Sequence, residues 1–364
     1  MRILDKYILK ELLGPFLFGV CTFTSLFIAS SVLFRAAQYI SQYGASFLDV
    51  AKMILFSLPE VVNYTFPMST LLATLIVFGR LSSNSEITAM KSGGMSFWRI
   101  TAPVFVAAFC LSIFSVVFAE KVVPNARTAY RNLVYYEIQG NTKPPQQDHI
   151  VIKSTRGSEI ERLIYARTFD EAQGAMQGLT VEEFDVKGNI VSIQTAERAV
   201  WGDGKWILQN GISHEISKTD GLQRSMKFEE QILPVDVRPR DVGLSQKKPD
   251  QMTIKELKLQ IDVLSKQYLP VTLYEVEMYQ RFTIPMASLI FALIGTPLGI
   301  QPQRTTSSLG LGLSVVIIFL YYTVMTLSTA LGQGGALPPF LAAWIPNLIC
   351  LGAGIYLMRT RAMR

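Results

Sequence analysis

Charged residues are scarce in this sequence. Only 17% of its 364 residues are Asp, Glu, Lys or Arg, whereas an average soluble domain has about 25%. The shortage is concentrated in the first third and the last quarter of the chain, while residues from about 125 to 260 have the composition of a soluble protein. This distribution excludes a wholly soluble chain and predicts a membrane protein with one large water-exposed insertion.

Histidine and cysteine are also scarce, with two and three residues. The cysteines, Cys21, Cys110 and Cys350, all lie in apolar runs, so the insertion has no disulfide. His149 and His214 are far apart in the sequence and make a poor metal site. Phosphate-binding loops of the G-x-x-x-x-G-K-[ST] type and G-x-S-x-G elbows are absent. The sequence therefore predicts no catalytic residue, no metal and no cofactor, and it lacks the paired catalytic residues that an intramembrane enzyme acting on lipid would need.

Long apolar runs are abundant instead. A helix needs about 20 apolar residues to span the hydrocarbon core of a bilayer. Six runs reach this length, three before the insertion and three after it: residues 12–34, 54–78, 100–119, 282–300, 307–331 and 337–358. We predict an α-helical membrane protein with six transmembrane helices in a 3+3 arrangement.

Basic residues indicate the orientation of these helices. Arg80, Lys91 and Arg99 lie between the second and third runs, and Arg359 and Arg361 follow the sixth. Because such residues are enriched on the cytoplasmic side, we expect both termini in the cytoplasm and the insertion on the far side. Topology and anionic headgroups account for the net charge of +6, so nucleic acid is not an expected partner.

The insertion, residues 125–250, has the short alternating apolar patterns of β-strands. The pairs Gly188-Asn189 and Asp203-Gly204 predict turns, the second of them a tight hairpin. We expect an all-β domain, mostly antiparallel and folded as a sandwich or jelly roll. The core candidates are Ile150, Ile152, Val181, Phe184, Val191, Ile193, Trp201 and Trp206.

Two interpretations of this domain remain open from its pattern. It is either a structural or docking module, or it holds an apolar ligand outside the membrane in a trough that Ile152 and Ile193 would line. Residues 1–124 before it carry the first three spans. Residues 251–364 after it begin with an amphipathic linker or interfacial helix, capped by Thr253 and Glu256, and carry the last three.

Polar residues at the predicted ends of the spans are also informative. Arg35 follows the first apolar run, where it either anchors the helix at the headgroups or presents a cation to an anionic, lipid-like substrate. Glu60 and Asn63 are near the outer end of the second span. Pro67, Pro285 and Pro297 interrupt spans two and four, which suggests kinked helices around a cavity.

The loop "NSEITAMKSGGMS", residues 84–96, predicts a short helix on the inner side. Ser85 is a plausible cap, Gly93-Gly94 is a stop, and Ile87 and Met90 form an apolar side. One interpretation is a simple interfacial turn. The other is a coupling helix near residues 84–95, with Glu86, Ile87, Met90 and Lys91 contacting a soluble ATPase, since the chain has no nucleotide site of its own.

Four segments resemble a known family. They are "LDKYILKELLGPFLFG", "SNSEITAMKSGGMS", "RFTIPMASLIFALIGTPLGI" and "LPPFLAAWIPNLI". In this order they are similar to the LptF/LptG (YjgP/YjgQ) permeases of the lipopolysaccharide-export ABC transporter. The resemblance covers essentially the whole chain and is most specific in the E-I-x-A-M-K-x-G-G run and the last third.

The resemblance implies a bacterial inner-membrane subunit that extracts lipopolysaccharide or a related glycolipid and passes it to periplasmic β-jelly-roll bridge proteins. It also implies a second permease, either a paralogue or a second copy, and a cytoplasmic ATPase dimer. The inserted domain would be periplasmic and jelly-roll-like. Glu86 matches the acid of the family's coupling helix. Arg35 corresponds most closely to the basic residues that meet substrate phosphates. The family often has several basic residues there, whereas this chain has none between Arg35 and Lys52.

A membrane-anchored periplasmic scaffold, which binds envelope proteins without transport, is the alternative. The inner loop discriminates between the two hypotheses, because a scaffold has no use for a shaped helix on the cytoplasmic side. The sequence favours the permease.

Overall fold

The computed structural model describes residues 3–140, 150–156, 159–170, 173–186, 188–217, 221–235, 238–239, 242, 247–266, 268–300 and 307–362. The chain divides into two compact units. The membrane unit comprises residues 1–139 and 272–364, and the β unit comprises residues 140–271. Residues 125–139, which the sequence analysis assigned to the insertion, are mostly helical and belong to the membrane unit.

Nine α-helices, named here in chain order, are described in the membrane unit. They are α1 (Ile3–Phe27), α2 (Leu33–Tyr43), α3 (Phe47–Ser83), α4 (Glu86–Ser92), α5 (Phe97–Lys121), α6 (Val123–Asn132), α8 (Thr272–Gly299), α9 (Ser307–Gln333) and α10 (Pro339–Ala362). Wider π-helical turns join α1 to α2 at Ile28–Val32 and extend α6 at Leu133–Ile138. Among the described residues, six helical segments are long and apolar enough to cross a membrane, three on each side of the β unit. The predicted 3+3 arrangement is confirmed.

Helices α3 and α8 pack closely at the centre of the membrane unit. A Cβ atom added to Gly295 of α8 would lie 2.0 Å from Thr74 Oγ1 of α3, and one added to Gly299 would lie 2.8 Å from Phe78 Cβ. Glycine therefore allows the two helices to approach each other, as small residues do between membrane helices. Leu71, Phe291 and other apolar side chains form the core at this contact.

Side-chain hydrogen bonds also join the helices. Ser115 of α5 donates to Asn63 Oδ1 of α3 at 2.7 Å, and Asn347 of α10 donates from Nδ2 to the Thr283 carbonyl of α8 at 2.8 Å. Asn63, which the sequence analysis put near the outer end of its span, is thus a buried interhelical contact. Such bonds satisfy polar groups that lipid would leave unpaired.

The β unit contains one described antiparallel sheet of six strands. The strands are β1 (Ile150–Arg156), β2 (Glu159–Asp170), β3 (Ala175–Phe184), β4 (Ile190–Gly202), β5 (Lys205–Ser217) and β6 (Gly221–Leu233), and each pairs with the next in sequence. The predicted hairpin is present: Asp203 and Gly204 have positive φ angles of 48° and 77° between β4 and β5. An inserted all-β domain is confirmed, and its described strands follow one another as a meander.

The alternation of buried and exposed residues along the strands shifts by one position midway along the sheet. In β4, Ser192, Gln194 and Ala196 are buried, and the next buried residue is Ala199. Gly178 of β3 and Asn210 of β5 have positive φ angles of 63° and 52°, and both lie opposite the middle of β4 by the flanking register. Irregular residues of this kind bend a strand and re-aim its side chains.

This phase change decides which core predictions are correct. Ile150, Ile152, Val181 and Trp206 belong to the core, and Trp201 packs against it. The prediction for Val191 is wrong, because its side chain is 41% exposed. Phe184 and Ile193 are half-buried.

Helix α7, Ile254–Lys266, lies in the β unit. Its predicted capping box is confirmed: Thr253 N donates to Glu256 Oε2 at 2.8 Å, and Glu256 N donates to Thr253 Oγ1 at 3.3 Å. Leu257 is fully buried on its apolar side.

Candidate functional site

Helix α4 is the predicted short helix between the second and third spans. Glu86 is its first residue, and both carboxylate oxygens accept hydrogen bonds: Oε2 from the Tyr7 hydroxyl at 2.7 Å and Oε1 from Asn84 Nδ2 at 3.3 Å. The helix ends at the predicted glycine pair, where Gly94 has a φ of 83° and its N–H donates to the Lys91 carbonyl. The predicted cap is wrong, since Ser85 is left-handed and its side chain makes no capping bond.

The apolar side of α4 faces the membrane unit. Ile87 is 3% exposed and packs in a cluster with Ile8, Leu81 and Ile100, while Met90 covers the margin of that cluster. Lys91 places its ammonium 5.7 Å from the centre of the Phe97 ring. Ile87 therefore anchors the helix, and its expected contact with an ATPase stays a prediction.

The start of α1 holds this region together, a role that the sequence analysis missed. Asp5 pairs with Arg99 at the start of α5 across 2.7 Å, and Glu11 pairs with Arg80 at the end of α3. With the Tyr7–Glu86 bond, α1 contacts α3, α4 and α5 through polar groups. The two acids within a basic N-terminal segment were the only sequence signal of this arrangement.

Arg35 lies at the other end of the same continuous helix. It lines a cavity of about 360 Å³ whose walls also include Phe56, Tyr64, Tyr130 and Tyr322. Arg35 is exposed and within hydrogen-bonding range of the Tyr130 hydroxyl, and in the described part of the chain no carboxylate forms an ion pair with it. Because Arg35 follows Tyr7 by 28 positions of the helix, the two are roughly 40 Å apart at 1.5 Å per residue.

A second arginine lines the same cavity and was missed from the sequence. Arg127 of α6 donates from Nε to Glu60 Oε2 at 2.8 Å and from Nη2 to Glu60 Oε1 at 2.7 Å. Glu60 is therefore one partner of a bidentate pair between α3 and α6. Lys52 and Glu137 form a further pair between α3 and the π-helical turn after α6.

The two predicted trough residues lie on opposite faces of the sheet. The register places Ile152, Ile164, Val181, Gln194, Ser213 and Met226 in one row across β1–β6. Ile193 neighbours Gln194 in β4 and so points to the other side. Ile152 and Ile193 thus cannot line the same trough, and Met226, which is 49% exposed, is the accessible end of the row of Ile152.

Comparison with known proteins identifies the chain. The family described as lipopolysaccharide export system permease LptF/LptG matches residues 6–360. The chain belongs to the LptF/LptG family.

Individual members of the LptF/LptG family are similar over most of their length. The lipopolysaccharide export system permease protein LptG of Haemophilus influenzae is 22% identical over 95% of both chains. LptG of Escherichia coli K12 is 21% identical over 95% of this chain and 94% of its own, and LptF of the same strain is 23% identical over 85% and 81%.

In this LptF/LptG permease the two candidate regions share one helix, α3. Phe56, Glu60 and Tyr64 at one end of α3 line the Arg35 cavity, and Arg80 at the other end pairs with α1 beside α4. Among the described residues, no three His, Cys, Asp or Glu side chains converge to hold a metal ion. The family is one of lipopolysaccharide export permeases.

Proposed function

We propose that this chain is a permease subunit of an ABC transporter that extracts lipopolysaccharide, or a related glycolipid, from the bacterial inner membrane. Both termini and α4 lie in the cytoplasm, and the β unit lies in the periplasm. The basic residues around α4 and at the end of α10 support this orientation.

The observation that carries the proposal is the cavity around Arg35. Its guanidinium has no described ion-pair partner, so its charge is available to an anionic group, and aromatic side chains supply apolar surface beside it. Arginine binds phosphate oxygens through two parallel hydrogen bonds. This combination of a cation and apolar walls suits a lipid whose headgroup carries phosphate.

Energy for transport comes from a cytoplasmic ATPase dimer that contacts α4. Glu86 is half-exposed and held in place by Tyr7, and Met95 and Trp98 beside the helix are exposed apolar side chains. With Ile87 as the anchor and Met90 and Lys91 half-buried, the contact surface consists of the outward side of α4 and the residues just after it. A carboxylate at such a surface selects a basic residue of the partner.

The other partners are a second permease, a paralogue or another copy of this chain, and periplasmic β-jelly-roll bridge proteins that receive the lipid from the β unit. Similarity to proteins named LptF and to proteins named LptG supports a permease pair. In the β unit, Met226, the accessible end of the row of Ile152, is the surface for the lipid.

Charge reversal at Arg35 tests the function. In proteoliposomes with the ATPase, Arg35→Glu should reduce lipopolysaccharide extraction at least tenfold while ATPase association persists, and Arg35→Lys should retain part of the activity, because lysine keeps the charge without the bidentate geometry. Lys121→Glu, an exposed residue that does not line the cavity, is the matched control. Unchanged extraction by Arg35→Glu would mean that Arg35 only anchors the helix at the membrane interface.

A photo-crosslinker tests the β unit separately. Placed at Met226 it should capture glycolipid while ATP is hydrolysed, whereas at Ile193, on the opposite face, it should not. Capture of protein alone at Met226 would favour the scaffold hypothesis.

A further inference from the structure

A second cavity lies in the membrane unit, between α1, α3 and α5. It has a volume of about 300 Å³, and Leu9 and Leu13 of α1, Thr70 and Thr74 of α3, and Ala107 and Leu111 of α5 line it. This space, called the α1–α5 slot below, shares no lining residue with the cavity of Arg35. Leu13 is 58% exposed, so the slot opens to the outside of the unit.

The described lining of the slot offers no free hydrogen-bond donor to a ligand. Thr70 and Thr74 are its polar residues, and each hydroxyl donates to a carbonyl one turn earlier in α3, of Phe66 and Thr70 respectively, at 2.9 Å. Groups that are already satisfied do not require a water or a polar ligand. A ligand for this space is therefore a hydrocarbon.

The shape of the slot restricts that hydrocarbon. At one end α1 and α5 meet, where Ile8 and Ile100 are fully buried together and Asp5 pairs with Arg99. Further along, α5 lines the slot with the small side chains of Ala107 and Ala108. One turn of a helix, about 10 Å wide and about 5.4 Å long, is larger than the slot's volume of about 300 Å³, whereas a single acyl chain is narrow enough to enter it.

Basic residues lie beside the closed end. Lys6 and Lys10 precede Leu9 and Leu13 by three positions, which is about one turn of α1. Both lysines are exposed, and within the described ranges no carboxylate forms an ion pair with either of them. Their charges are thus available to the phosphate of a lipid whose chain enters the slot.

We propose that the α1–α5 slot binds one acyl chain of an anionic phospholipid, with the lipid phosphate at Lys6 and Lys10. The site is separate from that of the transported glycolipid. Leu12, Ala73, Val104 and Ala108 line the slot and also belong to the core cluster that buries Ile87. A lipid in the slot therefore completes the packing that anchors α4.

The test uses the purified full-length chain, delipidated in detergent and titrated with phosphatidylglycerol or phosphatidylcholine, with bound lipid counted by native mass spectrometry. Ala107→Phe fills the slot and should weaken the tightest phosphatidylglycerol binding at least tenfold. Val106→Phe, which adds an aromatic ring to the exposed side of the same helix, should not. Lys6→Gln with Lys10→Gln should abolish the preference for phosphatidylglycerol, and Lys121→Gln should leave it intact.

Direct labelling covers the case in which Ala107→Phe disturbs the fold. Phosphatidylglycerol with a diazirine at the end of its acyl chain should label the wild-type peptides that contain Leu13 and Leu111 in preference to other exposed apolar segments. Uniform labelling of all exposed helices, or equal affinity in Ala107→Phe and Val106→Phe, would overturn the proposal. Loss of a co-purifying protein instead of lipid in Ala107→Phe would also overturn it, in favour of a partner helix.

Discussion

The hydroxyl of Tyr7 donates a hydrogen bond to Glu86 Oε2 across 2.7 Å and so connects α1 to α4. The two residues are 79 positions apart in the chain. The bond fixes the direction of the Glu86 carboxylate while leaving the residue half-exposed. A partner that binds this carboxylate meets a group that is already oriented, so less conformational entropy is lost on binding.

The first prediction concerns the charge of Glu86. Glu86→Ala should weaken association with the cognate ATPase, and Glu86→Lys should weaken it at least tenfold, because truncating one member of a close charged pair costs about 2–5 kcal/mol when the pair is buried on binding. Co-purification of the ATPase and lipid release from proteoliposomes are the measurements. Normal ATPase association and normal lipid release in Glu86→Lys would show that α4 does not couple the ATPase to transport.

The second prediction separates orientation from charge at the same residue. Tyr7→Phe keeps the Glu86 carboxylate but removes the hydrogen bond that orients it, so ATPase association should fall by less than in Glu86→Ala. The loss of one hydrogen bond to a charged group costs about 1.5–3 kcal/mol at most. If Tyr7→Phe were more severe than Glu86→Ala, Tyr7 itself would be the contact. Thr88→Ala, at an exposed position of α4, is the control.

The third prediction concerns the anchor of α4. Ile87→Ala should leave a cavity in the core below the helix and destabilise its docking by about 2 kcal/mol, with Ile87→Val costing about 1 kcal/mol. Hydrogen exchange of the peptide that contains α4 should therefore accelerate in the order wild type, Val, Ala, while the β unit is unchanged. Equal exchange in all three would mean that α4 is held by its polar contacts alone.

A fourth prediction concerns the ion pair beside the Arg35 cavity. Glu60→Gln removes the carboxylate that holds Arg127 in a bidentate pair, and because Arg127 is mostly buried the thermal midpoint should fall, by the equivalent of about 1–3 kcal/mol. The double variant Glu60→Gln with Arg127→Gln should recover part of that loss, since the buried charge of the guanidinium is removed as well. Additive losses in the double-mutant cycle would show that the two side chains do not interact.

The fifth prediction concerns pH and the cap of α7. Burial raises the pKa of Glu256, but hydrogen bonds from Lys247 and Thr253 outweigh it and hold the pKa below its usual value of 4.5. A carboxyl with a lowered pKa adds stability above its unfolded pKa and loses it as the pH falls through the folded pKa. Glu256→Gln should therefore speed hydrogen exchange of α7 at pH 7, and this difference should shrink below pH 4.5. Asp262→Asn, at an exposed i,i+4 pair with Lys266, is the control and should have little effect.

Features that depend on neighbouring residues were predictable from the sequence. The six spans follow from uninterrupted apolar runs, the start of α7 follows from Thr253 and Glu256, and the hairpin follows from Asp203-Gly204. Each is determined by side chains within one turn or one span, so no knowledge of the tertiary structure is needed.

Features that depend on distant residues were not predictable. Alternation assigned Val191 and Ile193 to the core, but Gly178 and Asn210 reverse the phase of the sheet. The Asn210-Gly211 pair, which allows a positive φ, lies within the apolar pattern of a single strand. Asp5–Arg99, Tyr7–Glu86 and Glu60–Arg127 each join separate helices. In the inner loop, the sequence shows that Ile87 is apolar but does not show what it contacts. The structure shows that α1 packs against it.

The buried arginine of α8 has a consequence for synthesis of the chain. Arg281 is 7% exposed, pairs with Glu277 of its own helix at 3.4 Å and donates to the carbonyl of Ala119 in α5, also at 3.4 Å. A guanidinium at this depth is costly in lipid without such acceptors. Ala119 precedes Arg281 by 162 residues. The ribosome therefore synthesises the accepting carbonyl of Ala119 before the β unit and Arg281 after it. The charge of Arg281 can therefore be buried against this carbonyl only once α5 is in place.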